Sequence, residues 1–133
     1  MRKGISLIVS VLFLGLLLSP CAWAGAEVIK IGINAPITGD IPKVGEGSKY
    51  AAQMWLEDIN GTLEVGGVPH PVELVIEDNE SKAESAVKVN TKMITEDEVL
   101  VLVGPQSSKQ AVPAGGVADN WKTAMISPRS EEH

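Results

Sequence analysis

Short apolar runs alternate with segments of helical spacing along most of this chain. The apolar runs are rich in valine and isoleucine and are bounded by glycine, proline, asparagine or aspartate, which is typical of β-strands. They predict four principal strands, at residues 28–33, 72–76, 99–103 and 123–126. The segments between the strands carry apolar residues at steps of three and four, which predicts helices at residues 45–60, 81–95 and from about 108 to about 121.

The run at residues 99–103, VLVLV, has no polar alternation. Such a run is typical of a strand that is covered on both faces, as in parallel sheets. Strands and helices that alternate with short connections build right-handed βαβ units. The sequence therefore predicts an α/β fold with a doubly wound parallel sheet.

Four loops follow the predicted strands and should gather at one edge of the sheet. They are residues 34–44, 77–80, 104–108 and 127–131. Ligands of open parallel sheets bind outside the carboxyl ends of the strands. This edge is therefore the predicted ligand site.

Ser107 and Ser108 stand where a helix should begin, after Gly104 and Pro105 have ended the strand. The first N–H groups of a helix have no partner within the helix, so they can bind an anion together with the serine hydroxyls. Pro113 fits this interpretation if it lies in the first turn, where proline is tolerated. The alternative is that both serines only cap the helix.

Three local patterns give further expectations. The helix at 45–60 should bury one apolar face, made of Ala51, Ala52, Trp55, Leu56 and Ile59. Residues 63–65 and 72–76 should form a hairpin arm around a turn at 66–71, which makes His70 a solvent-facing loop residue. Ser81-Lys82-Ala83-Glu84 matches a capping box and predicts that the next helix starts at Ser81.

Residues 1–24 have the three parts of a secretory signal peptide: a basic start, an apolar core and the small-x-small site Ala22-Trp23-Ala24. We expect cleavage there, no stable membrane insertion afterwards and a periplasmic protein; the alternative is a retained membrane anchor. Cys21 lies in a segment that resembles a lipoprotein box, but Pro20 stands where that box has a small residue. Cleavage is therefore the expectation in preference to lipid attachment.

Composition and charge exclude several classes of function. The chain has 11 basic against 17 acidic residues and a net charge of −6, and it has no basic stripe, so nucleic acid is not an expected partner. No second His or Cys stands at a ligand spacing from His70, and residues 77–80 are interpreted as a polar loop instead of a metal site or general base. We expect no enzyme activity, no metal and no cofactor.

Five segments, in order, resemble the first lobe of type I periplasmic binding proteins, in the leucine/isoleucine/valine-binding branch that serves ABC importers. They are residues 29–39 (IKIGINAPITG), 51–60, 77–79 (EDN), 103–108 (VGPQSS) and 125–128 (MISP). The resemblance implies a substrate-binding component for branched-chain or related amino acids or amides. Its other partner, in a full-length relative, is a membrane ABC permease.

The resemblance also implies residue roles. Ser108 would give its hydroxyl and backbone N–H to the α-carboxylate of the ligand, and Ser107 and Gln106 belong to the same loop. A backbone carbonyl near Arg129 would bind the α-ammonium group, with the hydroxyl of Ser130 beside it.

The family pattern changes at residues 129–131, where Arg129-Ser130-Glu131 replaces small residues and a threonine. We therefore expect residues 25–133 to form an incomplete first lobe only, from a truncated product with little binding of its own. Two other classes stay open. One is a ligand-sensing ectodomain of a bacterial receptor, and the other is a small flavodoxin-like enzyme, which the lack of a glycine-rich phosphate loop and of a nucleophile-base pair disfavours.

Overall fold

The computed structural model describes residues 26–128, so the predicted signal peptide and Cys21 lie outside the described residues. Within them, strands and helices alternate. Their order is β1 (Ile29–Ala35), α1 (Pro42–Asp58), β2 (Thr62–Val65), β3 (Val68–Asp78), α2 (Ala83–Thr95), β4 (Val101–Val103), α3 (Ser108–Asn120) and β5 (Ala124–Ile126). No helix in this part of the chain is long and apolar enough to cross a membrane.

The strands form one mixed sheet in the order β2-β3-β1-β4-β5. β1 lies in the middle and pairs in parallel with β3 and β4, β4 pairs in parallel with β5, and only β2 is antiparallel to its neighbour. α1 packs on one face of the sheet, and α2 and α3 pack together on the other. The predicted doubly wound α/β fold is confirmed.

The hydrophobic core lies between the sheet and the pair α2 and α3. Its buried members are Met93, Val99, Leu102 and Ala118. The predicted inner face of α3 is correct at its three alanines, but Trp121, which was expected to join it, lies past the helix end and is 58% exposed.

The opposite face of the sheet is only partly covered, which corrects two expectations. The strand in the 99–103 run is limited to Val101–Val103; Leu102 is fully buried, but Leu100 is 66% exposed. The apolar face of α1 is half-buried at Ala52 and Leu56, and Trp55 is 37% exposed. On this side α1 packs mainly on β1 and β3, so the residues of β4 and β5 that face it are only partly covered. Leu100 is exposed for another reason, because it lies before the first residue of β4.

The hairpin turns at Gly66 and Gly67, not across 66–71, and β3 runs straight through Pro69 and Pro71. Hydrogen-bonded positions alternate along an antiparallel pair, and the N–H of Val72 donates to the carbonyl of Gly61. The two prolines therefore occupy the intervening positions, where no N–H is needed toward β2.

His70 belongs to β3 and is half-buried, so the expectation of a loop residue was wrong. Its ring Nδ1–H donates a hydrogen bond to the carbonyl oxygen of Glu27, at 2.9 Å. The side chain thus ties the entry of β1 to the hairpin arm.

Candidate functional site

The carboxyl ends of the four parallel strands meet at one edge, as expected. The register pairs Ala35 with Asp78 across β1 and β3, and Val103 with both Ile33 and Ile126 across β4. The loops that leave these strands are therefore neighbours, and this edge is the candidate site.

The loop from β4 to α3 depends on Gly104. Its φ is +96°, and a Cβ at this position would lie 2.1 Å from the carbonyl oxygen of Asn34, so only glycine fits. The N–H of Gly104 donates to the carbonyl of Ile126 at 2.8 Å, and the hydroxyl of Ser127 donates to the carbonyl of Pro105 at 2.5 Å. The loop is thereby fixed to the end of β5.

α3 begins at Ser108, with Ser107 as its N-cap residue, so the structure confirms the predicted helix start. The carbonyl of Ser107 accepts the N–H groups of Gln110 and Ala111, at 2.9 and 2.8 Å, but its side chain makes no capping hydrogen bond. The hydroxyl of Ser107 is therefore not used as a helix cap. Pro113 is the sixth residue of α3 instead of a first-turn residue, which corrects the earlier expectation.

Gln106 is almost fully buried at the base of the loop, with 5% of its surface exposed. Its Nε2 donates to the hydroxyl of Ser48 on α1 at 2.8 Å, and that hydroxyl donates to the carbonyl of Val44 at 3.0 Å. Its Oε1 is buried and has no hydrogen-bond partner among the described residues. Gln106 thus joins the loop to α1, and nothing in the sequence around Ser48 indicated this contact.

The loop between β1 and α1 is held by Asp78, the last residue of β3. The carboxylate accepts the N–H groups of Ile37, Thr38 and Glu80 at 2.8–3.1 Å and the Thr38 hydroxyl at 2.5 Å. Partial burial raises the pKa of Asp78, but the Thr38 hydroxyl and then the three N–H groups lower it more, so the pKa lies below its ordinary value. Asp78 therefore acts as an ionised anchor.

Ser81 also serves this loop and not a capping box. α2 begins at Ala83 with Lys82 as N-cap residue and no side-chain cap. The Ser81 hydroxyl donates to the carbonyl of Thr38 at 2.8 Å and accepts the N–H of Ile41 at 3.2 Å. The Ser-x-x-Glu pattern was misleading because the serine hydroxyl forms its hydrogen bonds with Thr38 and Ile41, which are distant in sequence, and not with the start of α2.

A cavity of about 420 Å³ lies between α1 and the sheet and reaches the candidate site at Gln106 and Pro128. Apart from Ser48 and Gln106, the residues that line it are apolar: Ile31, Ile33, Ala51, Ala52, Trp55, Leu74, Val101, Val103, Ile126 and Pro128. The cavity fits an apolar group better than a charged one.

The predicted site residues therefore divide into two groups. Ser107, Ser108 and Gln106 are brought together at the start of α3, whereas Arg129 and Ser130 lie outside the described residues. Within residues 26–128, no three His, Cys, Asp or Glu side chains form a group that could hold a metal ion.

Ligands of open α/β sheets bind outside the carboxyl ends of the strands, where these loops lie. Residues 28–133 match the periplasmic binding protein family. The chain belongs to this family, which consists of solute-binding proteins and not enzymes, and membership implies a periplasmic location.

Named relatives are amino-acid-binding proteins. The leucine-, isoleucine-, valine-, threonine- and alanine-binding protein of Pseudomonas aeruginosa is 32% identical over 103 residues, which are 77% of this chain and 27% of that protein. An amino acid binding protein of the same organism is 30% identical over 129 residues, which are 97% of this chain and 33% of that protein. The chain thus spans about a third or less of these curated relatives.

Solved structures agree with the sequence comparison. The crystal structure of the branched-chain amino acid transporter substrate binding protein LivJ from Streptococcus pneumoniae in complex with isoleucine matches with a TM-score of 0.72 and 30% identity, over 79% of this chain and 30% of that one. The leucine binding protein LivK from Thermotoga maritima matches with a TM-score of 0.70 and 26% identity, over 78% of this chain and 28% of that one.

Proposed function

We propose that this chain forms part of the ligand-binding lobe of the substrate-binding component of an ABC importer. Its ligand is a branched-chain or related amino acid or amide, and its protein partner is the membrane permease. The named relatives support the ligand class, since they bind leucine, isoleucine, valine or other amino acids. The observation that carries the proposal is the start of α3 at the carboxyl edge of the sheet.

The first turn of α3 receives the carboxylate of the ligand. A helix N-terminus carries partial positive charge and presents backbone N–H groups. Ser107 adds a hydroxyl that the helix does not use as a cap, and Ser108 adds a second hydroxyl at the first helical position. Gln106, held by Ser48, fixes the loop from below.

The segment after β5 receives the ammonium group of the ligand. Ser127 is fastened to the carbonyl of Pro105, so the chain leaves β5 beside the start of α3. In this proposal the backbone carbonyl of Arg129 accepts the ammonium N–H groups, with the hydroxyl of Ser130 next to it. An apolar ligand side chain matches the lining of the adjoining cavity.

Titration of the ¹⁵N-labelled chain with leucine, followed by NMR, tests the proposal. We expect the amide signals of Ser107, Ser108 and Lys109 to shift with leucine and much less with leucinamide, which lacks the carboxylate. Ser107→Ala should weaken leucine binding about tenfold, because it removes a hydrogen bond to a charged group. Ser85→Ala, at the start of α2, is the matched control.

Equal shifts with leucine and leucinamide would contradict the carboxylate role of α3. Leucine shifts confined to residues away from the strand-end loops would contradict the site itself.

A further inference from the structure

Three asparagines are fully buried between the sheet and the two helices that pack on it. Asn34 lies in β1, Asn79 directly follows β3, and Asn90 lies in the middle of α2; each has 0% of its surface exposed. A buried amide is costly unless its polar atoms are hydrogen-bonded. The polar atoms of these three side chains therefore have to find hydrogen-bond partners inside the protein.

Their hydrogen bonds form a continuous chain, which we name the asparagine relay. The N–H of Ser81 donates to Asn79 Oδ1 at 3.0 Å, and Asn79 Nδ2 donates to Asn34 Oδ1 at 2.8 Å. Asn34 Nδ2 then donates to Asn90 Oδ1 at 2.8 Å, and Asn90 Nδ2 donates to the carbonyl of Ala114 at 3.0 Å. Every donor in the series points the same way, from the β3–α2 loop to α3.

One end of the asparagine relay lies at the candidate site, and the other lies in α3, six residues after the helix begins. Ser81 is bonded to the β1–α1 loop through the carbonyl of Thr38, and Ala114 belongs to the helix that begins at Ser108. The relay thus connects three of the elements that meet at the strand-end edge.

Side-chain packing alone does little to prevent α3 from rotating or sliding against α2. Three of the four buried residues of α3 are alanines, Ala111, Ala114 and Ala118, and the fourth is Gln110. Small side chains interlock weakly, so a helix held only by them can rotate or slide, whereas hydrogen bonds fix distance and angle. The amide of Asn90 provides a directional contact from α2 to α3, through the carbonyl of Ala114, and its Nδ2 also donates to the sulfur of Met125 at 3.4 Å.

We infer that the asparagine relay positions the first turn of α3 for ligand binding, an inference that rests on the proposed function of that turn. Asn34, Asn79 and Asn90 are positioning residues that touch no ligand. They hold Ser107 and Ser108 in a fixed place relative to the loop at 36–41.

Asn90→Leu cuts the asparagine relay and also removes the contact of Asn90 with the sulfur of Met125. Asn34 Nδ2 keeps one of its two acceptors, the carbonyl of Ala86 at 2.9 Å, so one of its two N–H groups stays paired and only the other loses its partner. Thr91→Val is the matched control, because among residues 26–128 the Thr91 hydroxyl bonds only to the carbonyl of Val87 within α2. If Asn90→Leu does not fold, Asn90→Ser, which is too short to reach α3, replaces it.

Hydrogen exchange and leucine titration test the inference together. Relative to the change in global unfolding, exchange of the Gln110 and Ala111 amides should rise about fivefold to tenfold in Asn90→Leu and stay unchanged in Thr91→Val. Leucine affinity should fall in the same variant. Unchanged exchange in Asn90→Leu overturns the positioning role.

The two proposals fail in different ways. If the unaltered chain gives no leucine shifts even at leucine concentrations high enough to detect weak binding, the proposed function is overturned, but the exchange comparison still decides whether the relay fixes α3. If leucine binds and Asn90→Leu changes neither exchange nor affinity, only the relay is overturned.

Discussion

Single residues at the strand-end edge act mainly by holding loops to one another. Asp78 is the strongest example, because one carboxylate satisfies three backbone N–H groups and a hydroxyl. Such groups would otherwise need water, since they lie in a loop without regular secondary structure. The shape of the β1–α1 loop therefore depends on the charge of one side chain.

Asp78→Asn should lower the free energy of unfolding at pH 7 by about 1 kcal/mol, a value reduced from that of a buried charged hydrogen bond because the site is partly open to solvent. Urea denaturation measures the change. Asp40→Asn, in the same loop but exposed, is the control and should have little effect.

The effect of Asp78 should depend on pH in a defined direction. Because hydrogen bonds hold its pKa below the ordinary value of 3.8, the ionised group contributes stability above that pH. This contribution is lost as the pH falls through the pKa of the folded state. The difference between the unaltered chain and Asp78→Asn should therefore shrink below pH 3.8, and a difference that grew in acid would contradict this account.

At the scale of elements, α1 shows how closely a helix and a loop approach each other. A Cβ on Gly45 would lie 2.1 Å from the carbonyl oxygen of Pro36, whereas a Cβ on Gly47, half a turn later, would meet nothing within 4 Å. The start of α1 therefore rests directly on the backbone of the β1–α1 loop.

Gly45→Ala should lower the free energy of unfolding by more than about 2 kcal/mol, because backbone atoms must move to admit the methyl group. Gly47→Ala should raise it by about 0.5–1 kcal/mol, since alanine favours the helix and finds open space. Thermal unfolding of both variants makes the comparison. Equal effects of the two substitutions would show that the close approach at Gly45 is not a constraint.

The elements themselves were largely predictable, since β-strand runs and helical spacing are local patterns. The predictions were wrong where one local sequence pattern is compatible with more than one structure. Pro69 and Pro71 suggested a turn, yet a strand accepts them at alternate positions. Pro113 suggested a first turn, yet α3 tolerates it at its sixth residue, where one helix hydrogen bond is lost.

The candidate site was predictable at Ser107 and Ser108 and much less so elsewhere. The serines follow β4 after a loop of only three residues, so their place needs only local information. The contact of Gln106 with Ser48 and the pairs among Asn34, Asn79 and Asn90 join residues far apart in sequence. A polar residue in an apolar pattern gives no indication of which distant partner will satisfy it.

At the scale of the whole molecule, the two faces of the sheet differ. The face toward α2 and α3 contains the hydrophobic core, whereas the face toward α1 keeps an apolar cavity beside β4 and β5. β5 is an edge strand within the described sheet, and its Ile126 is 62% exposed. Exposed apolar edge strands pair readily with other chains.

Ile126→Glu should raise the protein concentration at which self-association begins, because a charge on an edge strand opposes pairing with a second strand. The free energy of unfolding should change by less than about 1 kcal/mol, since the side chain is mostly exposed. Light scattering over a concentration series measures association. Val112→Glu, which adds the same charge at an exposed position of α3, is the control and should have no comparable effect.

The central place of β1 also sets the order in which the fold is completed. Ile29 pairs with Val72, and Ile31 pairs with Val101, so the middle strand is the first to be synthesised and has both neighbours later in the chain. As the chain emerges during synthesis, β1 cannot begin to pair with β3 until Val72 is available, and the pairing is complete only with Asp78. The sheet can therefore form only after β3 and β4, which come later in the chain, have emerged and can pair with β1.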